Sequence, residues 1–243
     1  ICRMKLTYIY HSGFAIEGND FTITIDYYKD TSPDPAKGYV HSQLLQRPGR
    51  LYVLASHSHA DHFNPEILKW KEQRPDIQYL FSEDIRAQRM ACYHDAVFLE
   101  KGEEWNDDLL KVQAFGSTDI GISFLLDVEM KRIFHAGDLN NWHWEEESTP
   151  EETQAYEHQF SEELDTLATF TSYTDLAMFP VDPRLGKDYT RGARQFIEKI
   201  KTGWFAPMHF WENYGKANAF QSYAESQGCK FAAWQQPGDS ILF

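Results

Sequence analysis

Residues 51–65, "LYVLASHSHADHFNP", join an apolar run directly to a dense group of polar side chains. The near-continuous apolar run predicts a strand that is buried on both faces. Asn64 and Pro65 then predict the start of a helix, because asparagine caps helices and proline is tolerated in the first turn. This stretch therefore predicts a buried strand, a polar loop and a helix in succession.

The polar loop carries His57, His59, Asp61 and His62 within six positions. Alternate residues of an extended segment share a face, so His57 and His59 point the same way. Asp61 and His62 fall where the chain turns toward the helix, and they can reach a second point nearby. Imidazole nitrogen and carboxylate oxygen suit Zn²⁺, and also Mn²⁺ or Fe²⁺. The loop therefore predicts a metal site at the end of a rigid strand.

The rest of the chain alternates strand and helix patterns. Residues 29–50 contain several prolines and are predicted to form a loop. Strands are predicted at 4–12, 14–18, 21–28, 50–56, 77–82, 109–115, 121–128, 131–138, 175–182 and 203–210. Helices are predicted at 83–90, 150–170, 188–201 and 216–228. Strands come first in each half and helices follow, which predicts two similar βα halves stacked sheet on sheet with helices outside. No Ser/Gly-rich linker divides the chain, so residues 1–243 are predicted to form a single domain.

Composition and charge exclude several classes of partner. The chain has 37 acidic residues against 23 Lys and Arg, a formal net charge of −14, so a polyanionic partner such as nucleic acid or an anionic membrane is not expected. Cys2, Cys92 and Cys229 are few, odd in number and far apart, which fits a reducing compartment. No signal-peptide pattern or long apolar segment is evident, and the sequence predicts a soluble cytoplasmic protein. The oligomeric state, including a homo-oligomer, stays open.

Three motifs in order carry a family resemblance. H-x-H-x-D-H after a buried strand, Gly-Asp in "IFHAGD" and a late histidine in "APMHF" resemble the signature of the metallo-β-lactamase fold superfamily. The opening hairpin, residues 8–28, resembles the branch that contains ascorbate-6-phosphate lactonase and other metal-dependent hydrolases. The resemblance implies an α/β fold, a four-layer αββα sandwich of two mixed sheets with helices outside. It also implies metal ions where the sheets meet, with Asp138 bridging two metals and His209 as the last ligand.

The chain departs from that family pattern at one ligand. The family supplies a further histidine before Gly-Asp, and the residue here is Ser117 or Thr118. The metal position that uses His57 and His59 is therefore short of a strong ligand. The other position is complete and uses Asp61, His62, Asp138 and His209.

Three outcomes stay open for the deficient position. The protein holds one metal only, or water or Asp119 completes a second site, or His143 reaches in from the loop after Asp138. One firm metal with a weaker, exchangeable second is the favoured outcome. The metal is expected to be zinc, with manganese or iron as alternatives.

Further side chains are candidates for the walls of a substrate pocket. Two tryptophans and an arginine follow strand ends near the predicted ligands, and an arginine in such a loop suits a carboxylate or phosphate group. His135 is predicted to support a ligand or to pack in the core. The predicted pocket residues are His11, His135, Trp142, Asp182, Arg184 and Trp211.

The leading functional prediction is a metal-dependent hydrolase that acts on a small polar ester, lactone or phosphoester. A metal-activated water would attack the substrate, and Asp61 or Asp138 would orient or deprotonate that water. The alternative is a non-catalytic metal- or ligand-binding protein of the same fold, because the third histidine of one site is missing. A catalytic site needs an open coordination position, which a saturated or empty site lacks.

Overall fold

A computed structural model describes residues 3–243; Ile1 and Cys2, and with them the prediction for Cys2, lie outside the described residues. The strands are β1 (Lys5–Tyr10), β2 (Gly13–Glu17), β3 (Phe21–Ile25), β4 (Arg50–Ala55), β5 (Gln78–Ser82), β6 (Val97–Leu99), β7 (Glu104–Asn106), β8 (Leu110–Phe115), β9 (Ser123–Val128), β10 (Lys131–His135), β11 (Tyr173–Pro180), β12 (Lys201–Met208), β13 (Lys230–Phe231) and β14 (Ser240–Leu242). The α-helices are α1 (Tyr39–Ser42), α2 (Glu83–Ala87), α3 (Pro150–Phe170), α4 (Arg191–Lys199), α5 (Tyr214–Asn218) and α6 (Gln221–Ser226). Short 3₁₀ helices cover Leu44–Gln46, Pro65–Glu72 and Pro183–Leu185.

The chain divides into two compact units, each built on one seven-stranded mixed sheet. Unit 1 comprises residues 1–100 and 234–243, and unit 2 comprises residues 101–233. The strand order is β14-β1-β2-β3-β4-β5-β6 in unit 1 and β13-β12-β11-β10-β9-β8-β7 in unit 2. In each sheet one half pairs antiparallel and the other half parallel. The predicted two mixed sheets with helices are confirmed, and the single domain over residues 1–243 stays a prediction.

Strand β4 lies inside the sheet of unit 1, as its sequence predicts. It pairs parallel with β3 and β5, and all of its residues except Arg50 are buried. After the histidine loop, the Asn64 side chain accepts a hydrogen bond from the backbone N–H of Glu66 and caps the 3₁₀ helix Pro65–Glu72. Ile67 and Trp70 of that helix pack into the core of unit 1. The loop is therefore held between a buried strand and an anchored helix.

In unit 2, helices α3 and α4 bury aromatic side chains on the sheet. The α3 helix has the predicted bounds, and Thr149 and Glu152 form a capping box at its start. Its Phe160 ring lies 6.1 Å from Phe179 of β11, measured between ring centroids. Phe196 of α4 stacks on Phe134 of β10 at 5.3 Å. These contacts fix β10 and β11, whose carboxyl ends lead into the loops that carry Asp138 and Asp182.

Several elements differ from the prediction. The predicted loop 29–50 contains α1 and a 3₁₀ turn, and the predicted helix 216–228 is divided into α5 and α6. The division places Phe220 in the core, where its ring lies 5.0 Å from Phe205. Strands β6, β7, β13 and β14 were missed because two or three residues carry too little pattern to mark a strand without its pairing partner. None of the described helices has the length and apolar character needed to span a bilayer.

His41 has two carboxylate partners in unit 1 that no sequence pattern indicated. Its Nδ1 lies 2.6 Å from Asp30 Oδ2, and its Nε2 contacts Glu66 Oε1. Burial by itself would lower the pKa of His41, but the hydrogen bond to Asp30 and the charge of Glu66 outweigh it and raise the pKa above its usual range. The His41 ring thus joins the loop 29–50 to the helix that follows the histidine loop.

The substitution His41→Gln is expected to destabilise the protein more in mild acid than in weak base. A raised pKa stabilises the fold fully below the unfolded value of about 6.5, and this contribution is lost as the pH rises through the folded pKa. At pH 5.5 the expected loss of unfolding free energy is about 1.5 kcal/mol, as for a hydrogen bond to a charged group. Urea denaturation at pH 5.5 and 9 measures it, with the exposed His94→Gln as control. Equal losses at both pH values would contradict the charged pairing.

Candidate functional site

The loop after β4 brings its predicted metal ligands into contact within unit 1. His57 and His62 are buried, and their ring centroids lie 4.1 Å apart. The exposed His59 ring lies 4.8 Å from that of His57. The backbone N–H groups of His62 and Phe63 both donate to the carbonyl oxygen of His59, which closes a tight turn. The turn places three imidazoles and Asp61 on one short segment.

A buried aspartate, Asp26, fixes the orientation of two of these imidazoles. Its Oδ2 lies 2.7 Å from His62 Nδ1 and accepts a 2.6 Å hydrogen bond from Ser56 Oγ, which lies 2.9 Å from His57 Nδ1. Since a carboxylate only accepts, Nδ1 of His62 donates to Asp26, and Nδ1 of His57 donates to the serine oxygen. Both rings then carry their proton on Nδ1 and present Nε2 as a lone pair, which is the form that binds metal.

Asp61 places a carboxylate oxygen beside two imidazole nitrogens. Its Oδ2 lies 3.0 Å from His11 Nε2 and 3.4 Å from His62 Nε2. Ligands of one zinc ion, each about 2.0–2.2 Å from the metal, are themselves roughly 3.3 Å apart in tetrahedral geometry. Two acceptor atoms at such a separation repel unless a proton or a cation lies between them. The donor atoms of unit 1 thus fit a divalent cation.

Unit 2 repeats this arrangement with Asp138 and His209. Asp138 Oδ1 lies 3.1 Å from His209 Nε2, and His209 Nδ1 lies 2.9 Å from Oδ2 of the fully buried Asp182. Burial by itself would raise the pKa of Asp182, but hydrogen bonds from His209 and Arg184 outweigh it and lower the pKa to about 2. Asp182 stays ionised and keeps the His209 proton on Nδ1, so Nε2 faces the carboxylate of Asp138.

The segment 117–119, where the expected histidine is missing, supports the loop of Asp138. Thr118 Oγ1 donates to the carbonyl oxygen of Asn140 at 2.6 Å and accepts from its N–H at 3.0 Å. Ser117 Oγ accepts a 3.2 Å hydrogen bond from the N–H of Asp119. The serine hydroxyl is thus engaged within its own turn, whereas the Asp119 side chain is exposed and lines a cavity.

That cavity, of about 290 Å³, lies in unit 2 and is lined by side chains that include Asp119, Asp138, Trp142, Arg184 and His209. Unit 1 has a larger cavity of about 440 Å³ beside His41, but none of the predicted metal ligands lines it. Size alone therefore does not identify the site. The smaller cavity combines two predicted ligands, an arginine and aromatic walls, as small-molecule sites do.

Only some of the residues predicted for a substrate pocket line this cavity. Trp142 lines the cavity, donates from Nε1 to the carbonyl oxygen of Asp138 at 2.7 Å, and lies 5.4 Å from the His209 ring. Asp182 lies behind the wall and holds Arg184, which is part of it. His135 is buried at the end of β10, where its Nδ1 accepts from the N–H of Gly137. The described lining includes neither His135 nor the half-buried Trp211.

His143 holds a loop and is not poised to bind a metal. Its Nδ1 accepts a 3.1 Å hydrogen bond from the N–H of Glu145, and its Nε2 donates to the carbonyl oxygen of Asp188 at 2.9 Å. The ring is buried, and both nitrogens have protein partners. This geometry argues against His143 as the missing ligand and leaves Asp119 or water as the alternatives in the sequence prediction for a second metal.

Sequence reasoning missed Asp26, the residue that orients the histidines of unit 1. It follows β3 directly in "FTITID", and β3 is the parallel neighbour of β4. Carboxyl ends of adjacent parallel strands meet at one sheet edge, so an aspartate at this position was a readable signal. The missing information was the pairing of β3 with β4, which no local pattern gives.

Backbone strain is concentrated at these residues. Of the eight described non-glycine residues with positive φ, five are His11, Asp26, Trp144, His209 and Trp211. Each such conformation costs about 1–3 kcal/mol and persists only where the surrounding structure enforces it. The five include one predicted ligand, His209, and two predicted pocket residues, His11 and Trp211, and such strain is typical of functional sites.

The chain belongs to the beta-lactamase superfamily. The family model described as beta-lactamase superfamily domain matches residues 5–209, which is most of the chain. This match confirms the family that the sequence motifs indicated. A curated relative, a UPF0173 metal-dependent hydrolase of Desulforamulus reducens, is 22% identical over 223 residues, which cover 85% of this chain and 84% of the relative.

Solved structures share the fold at lower identity. Igni18, a metallo hydrolase of Ignicoccus hospitalis, has a TM-score of 0.71 at 18% identity and covers 99% of this chain and 98% of its own. CmlA, a diiron β-hydroxylase of Streptomyces venezuelae, has a TM-score of 0.68 at 13% identity, over 99% of this chain and 54% of its own. These likenesses show the α/β fold predicted for the metallo-β-lactamase type. The curated relative and Igni18 are also named as a metal-dependent hydrolase and a metallo hydrolase, which is the enzyme class predicted from the sequence.

Replacement of Asp26 by Asn is expected to lower the affinity for Zn²⁺ about 10- to 100-fold, the usual effect of losing a partner that orients a metal-binding histidine. The amide places a donor against Ser56 or His62, which are donors themselves, while asparagine still tolerates the positive φ of 52°. Competition titration with a chelating dye measures the affinity, with the exposed Asp20→Asn as control. Unchanged affinity in the folded variant would show that Asp26 does not set the ring orientation.

Proposed function

We propose that the protein is a metal-dependent hydrolase that acts on a small polar ester, lactone or phosphoester. The observation that carries the proposal occurs once in each unit. A histidine is bound through Nδ1 to a buried aspartate and presents Nε2 to a second carboxylate, as in His62 with Asp61 and His209 with Asp138. Imidazole nitrogen and carboxylate oxygen are ligand atoms that suit zinc, manganese or iron.

We propose Asp61, His62, Asp138 and His209 as the ligands of the firm metal position, the set that the family resemblance implies. Family membership and the shared orientation of the two histidines support this set. When bound, the metal supplies a water of lowered pKa and polarises the scissile oxygen. Asp61 or Asp138 would orient or deprotonate that water. His11 Nε2, 3.0 Å from Asp61 Oδ2, is placed to take part in the same proton transfer.

A weaker second position uses His57 and His59, with Asp119 in the role of the missing histidine. Asp119 is exposed, and its side chain lines the same cavity of unit 2 as Asp138. A single carboxylate in place of an imidazole gives weaker binding of zinc and favours exchange. This position is consistent with one firmly held metal and one exchangeable metal.

The proposed substrate is a small molecule, because the cavity volume of about 290 Å³ lies near the lower end for drug-sized ligands. The net charge of −14 makes nucleic acid an unfavourable substrate. The described cysteines, Cys92 and Cys229, are both free, which supports a cytoplasmic location. A non-catalytic, ligand-binding role is the alternative, and the cavity beside the predicted ligands Asp138 and His209 favours the enzyme.

The substitution His209→Ala is expected to remove the firmly bound metal and with it all hydrolysis. Metal analysis of protein purified without added metal, followed by a screen of lactone, carboxylic ester and phosphoester substrates, measures both effects. His158→Ala, an exposed histidine of the same unit, is the control and should keep both. Retained metal in folded His209→Ala would contradict the ligand role, and a wild-type protein without turnover after reconstitution with Zn²⁺ or Mn²⁺ would contradict the enzyme.

The substitution Asp119→Asn is expected to weaken only the second metal. Stepwise zinc titration should show an unchanged first equivalent and a second equivalent with affinity lowered at least tenfold, because a neutral amide replaces a charged ligand. Ser117→Ala is the matched control, since the serine hydroxyl is engaged with the N–H of Asp119. A larger effect of Ser117→Ala than of Asp119→Asn would assign the second ligand to the serine.

A further inference from the structure

The cavity of unit 2 carries one basic side chain at its wall. Among the described residues that line it, Asp119 and Asp138 are acidic and Arg184 is the one Lys or Arg. Arg184 belongs to the turn after β11, and its side chain is 52% exposed. In a chain with a net charge of −14, this guanidinium is the fixed positive charge that a small anion in the cavity would meet.

Arg184 is held in place by a carboxylate that also serves the metal ligand. Its Nε lies 3.0 Å from both oxygens of Asp182, and its Nη2 donates to Oδ2 at 2.6 Å. The same Oδ2 accepts from His209 Nδ1. An ordinary surface ion pair leaves both partners in water, whereas Asp182 is fully buried and shared. The arrangement fixes the guanidinium relative to the His209 imidazole.

An aromatic wall is fixed to the segment that follows this turn. The Trp144 ring stacks on Trp142 at 6.1 Å with an interplanar angle of 17°, and Trp144 has a φ of +41°. The backbone N–H of Lys187 donates to Glu146 Oε1 at 3.0 Å, and Arg191 Nη2 donates to Glu145 Oε2 at 2.6 Å. The tryptophan segment is thus joined by three contacts, including that of His143, to Lys187, Asp188 and Arg191, which follow the turn of Arg184 in the chain. Because Arg184 and the tryptophans are already held in place, a ligand that binds here does not have to order them, and this lowers the entropic cost of binding.

We propose that Arg184 selects substrates that carry a carboxylate or phosphate group beside a short planar or apolar body. The anion pairs with the positive charge of the guanidinium, which Asp182 holds in place, and the body lies along the face of Trp144. This inference rests on the proposed hydrolase function and specifies its substrate class. Arg184 acts in specificity, and the bond-breaking chemistry stays with the residues assigned above.

The test compares two pairs of esters that differ in one charged group. The first pair is 4-nitrophenyl acetate and mono(4-nitrophenyl) succinate, which adds a carboxylate. The second pair is methyl benzoate and methyl 4-(phosphonooxy)benzoate, which adds a phosphate. The wild-type protein is expected to prefer the anionic member of at least one pair in kcat/KM, and the preferred pair identifies the anion.

In Arg184→Gln that preference is expected to fall about 10- to 100-fold, the effect of losing a hydrogen bond between charged groups. The readout is the ratio of the anionic to the neutral ester in kcat/KM, because any effect that passes through Asp182 and His209 acts on both esters alike. Arg184→Lys should restore part of the preference, because it keeps the positive charge. The matched control is Arg132→Gln, which removes another arginine paired with an aspartate, Asp127, in unit 2 outside the cavity.

A binding measurement separates this inference from the proposed function. Benzoate and phenyl phosphate, with neutral benzamide for comparison, are titrated against tryptophan fluorescence, to which Trp142 and Trp144 contribute. If the wild type hydrolyses no ester but binds an anion in an Arg184-dependent way, the proposed hydrolase function is contradicted and the proposed anion site is supported. If Arg184→Gln lowers rates on neutral and anionic esters equally, or lowers neither, and anion binding is unchanged, the inference is overturned.

Discussion

Two buried aspartates, one in each unit, are the interactions on which the candidate site depends. Asp26 and Asp182 each accept from Nδ1 of a histidine and are fully buried. An ionised carboxylate inside a protein is costly unless hydrogen bonds compensate for lost hydration, and each has several donors. Their charge keeps His62 and His209 in the tautomer that presents Nε2. The orientation of the predicted ligands is thus a consequence of buried charge.

The two units place the aspartate beside its histidine with the same strand arrangement. Each aspartate follows a strand that pairs parallel with its neighbour, β3 beside β4 in unit 1 and β11 beside β12 in unit 2. The histidine it holds follows that neighbour. Because parallel strands end at the same sheet edge, one loop can supply the ligand and the adjacent loop its partner. Each half of the fold thus contains the same pair, an aspartate that accepts a hydrogen bond from Nδ1 of a histidine. One member of each pair, Asp26 in unit 1 and His209 in unit 2, has a positive φ.

Much of the fold was predictable because its elements have strong local patterns. The α3 helix has Thr149, Pro150 and Glu152 at its start, and its bounds were predicted correctly. Strand β4 reads as buried from its apolar run alone. Short strands such as β13, and the division between α5 and α6, depend on partners far along the chain. The burial of Phe220 against Phe205 outweighs the helix pattern of its own segment.

The sequence by itself determined the family, the two mixed sheets and the residue types of the predicted metal site, because motif spacing and hydrophobic pattern are local properties. The tertiary structure decided which polar side chains are engaged elsewhere. It gave His143 two protein partners and turned Ser117 toward its own backbone, and it placed Asp119 and Arg184 at the cavity of unit 2. It also revealed Asp26. These assignments depend on hydrogen bonds between residues distant in sequence, and a one-dimensional pattern does not encode which donor meets which acceptor.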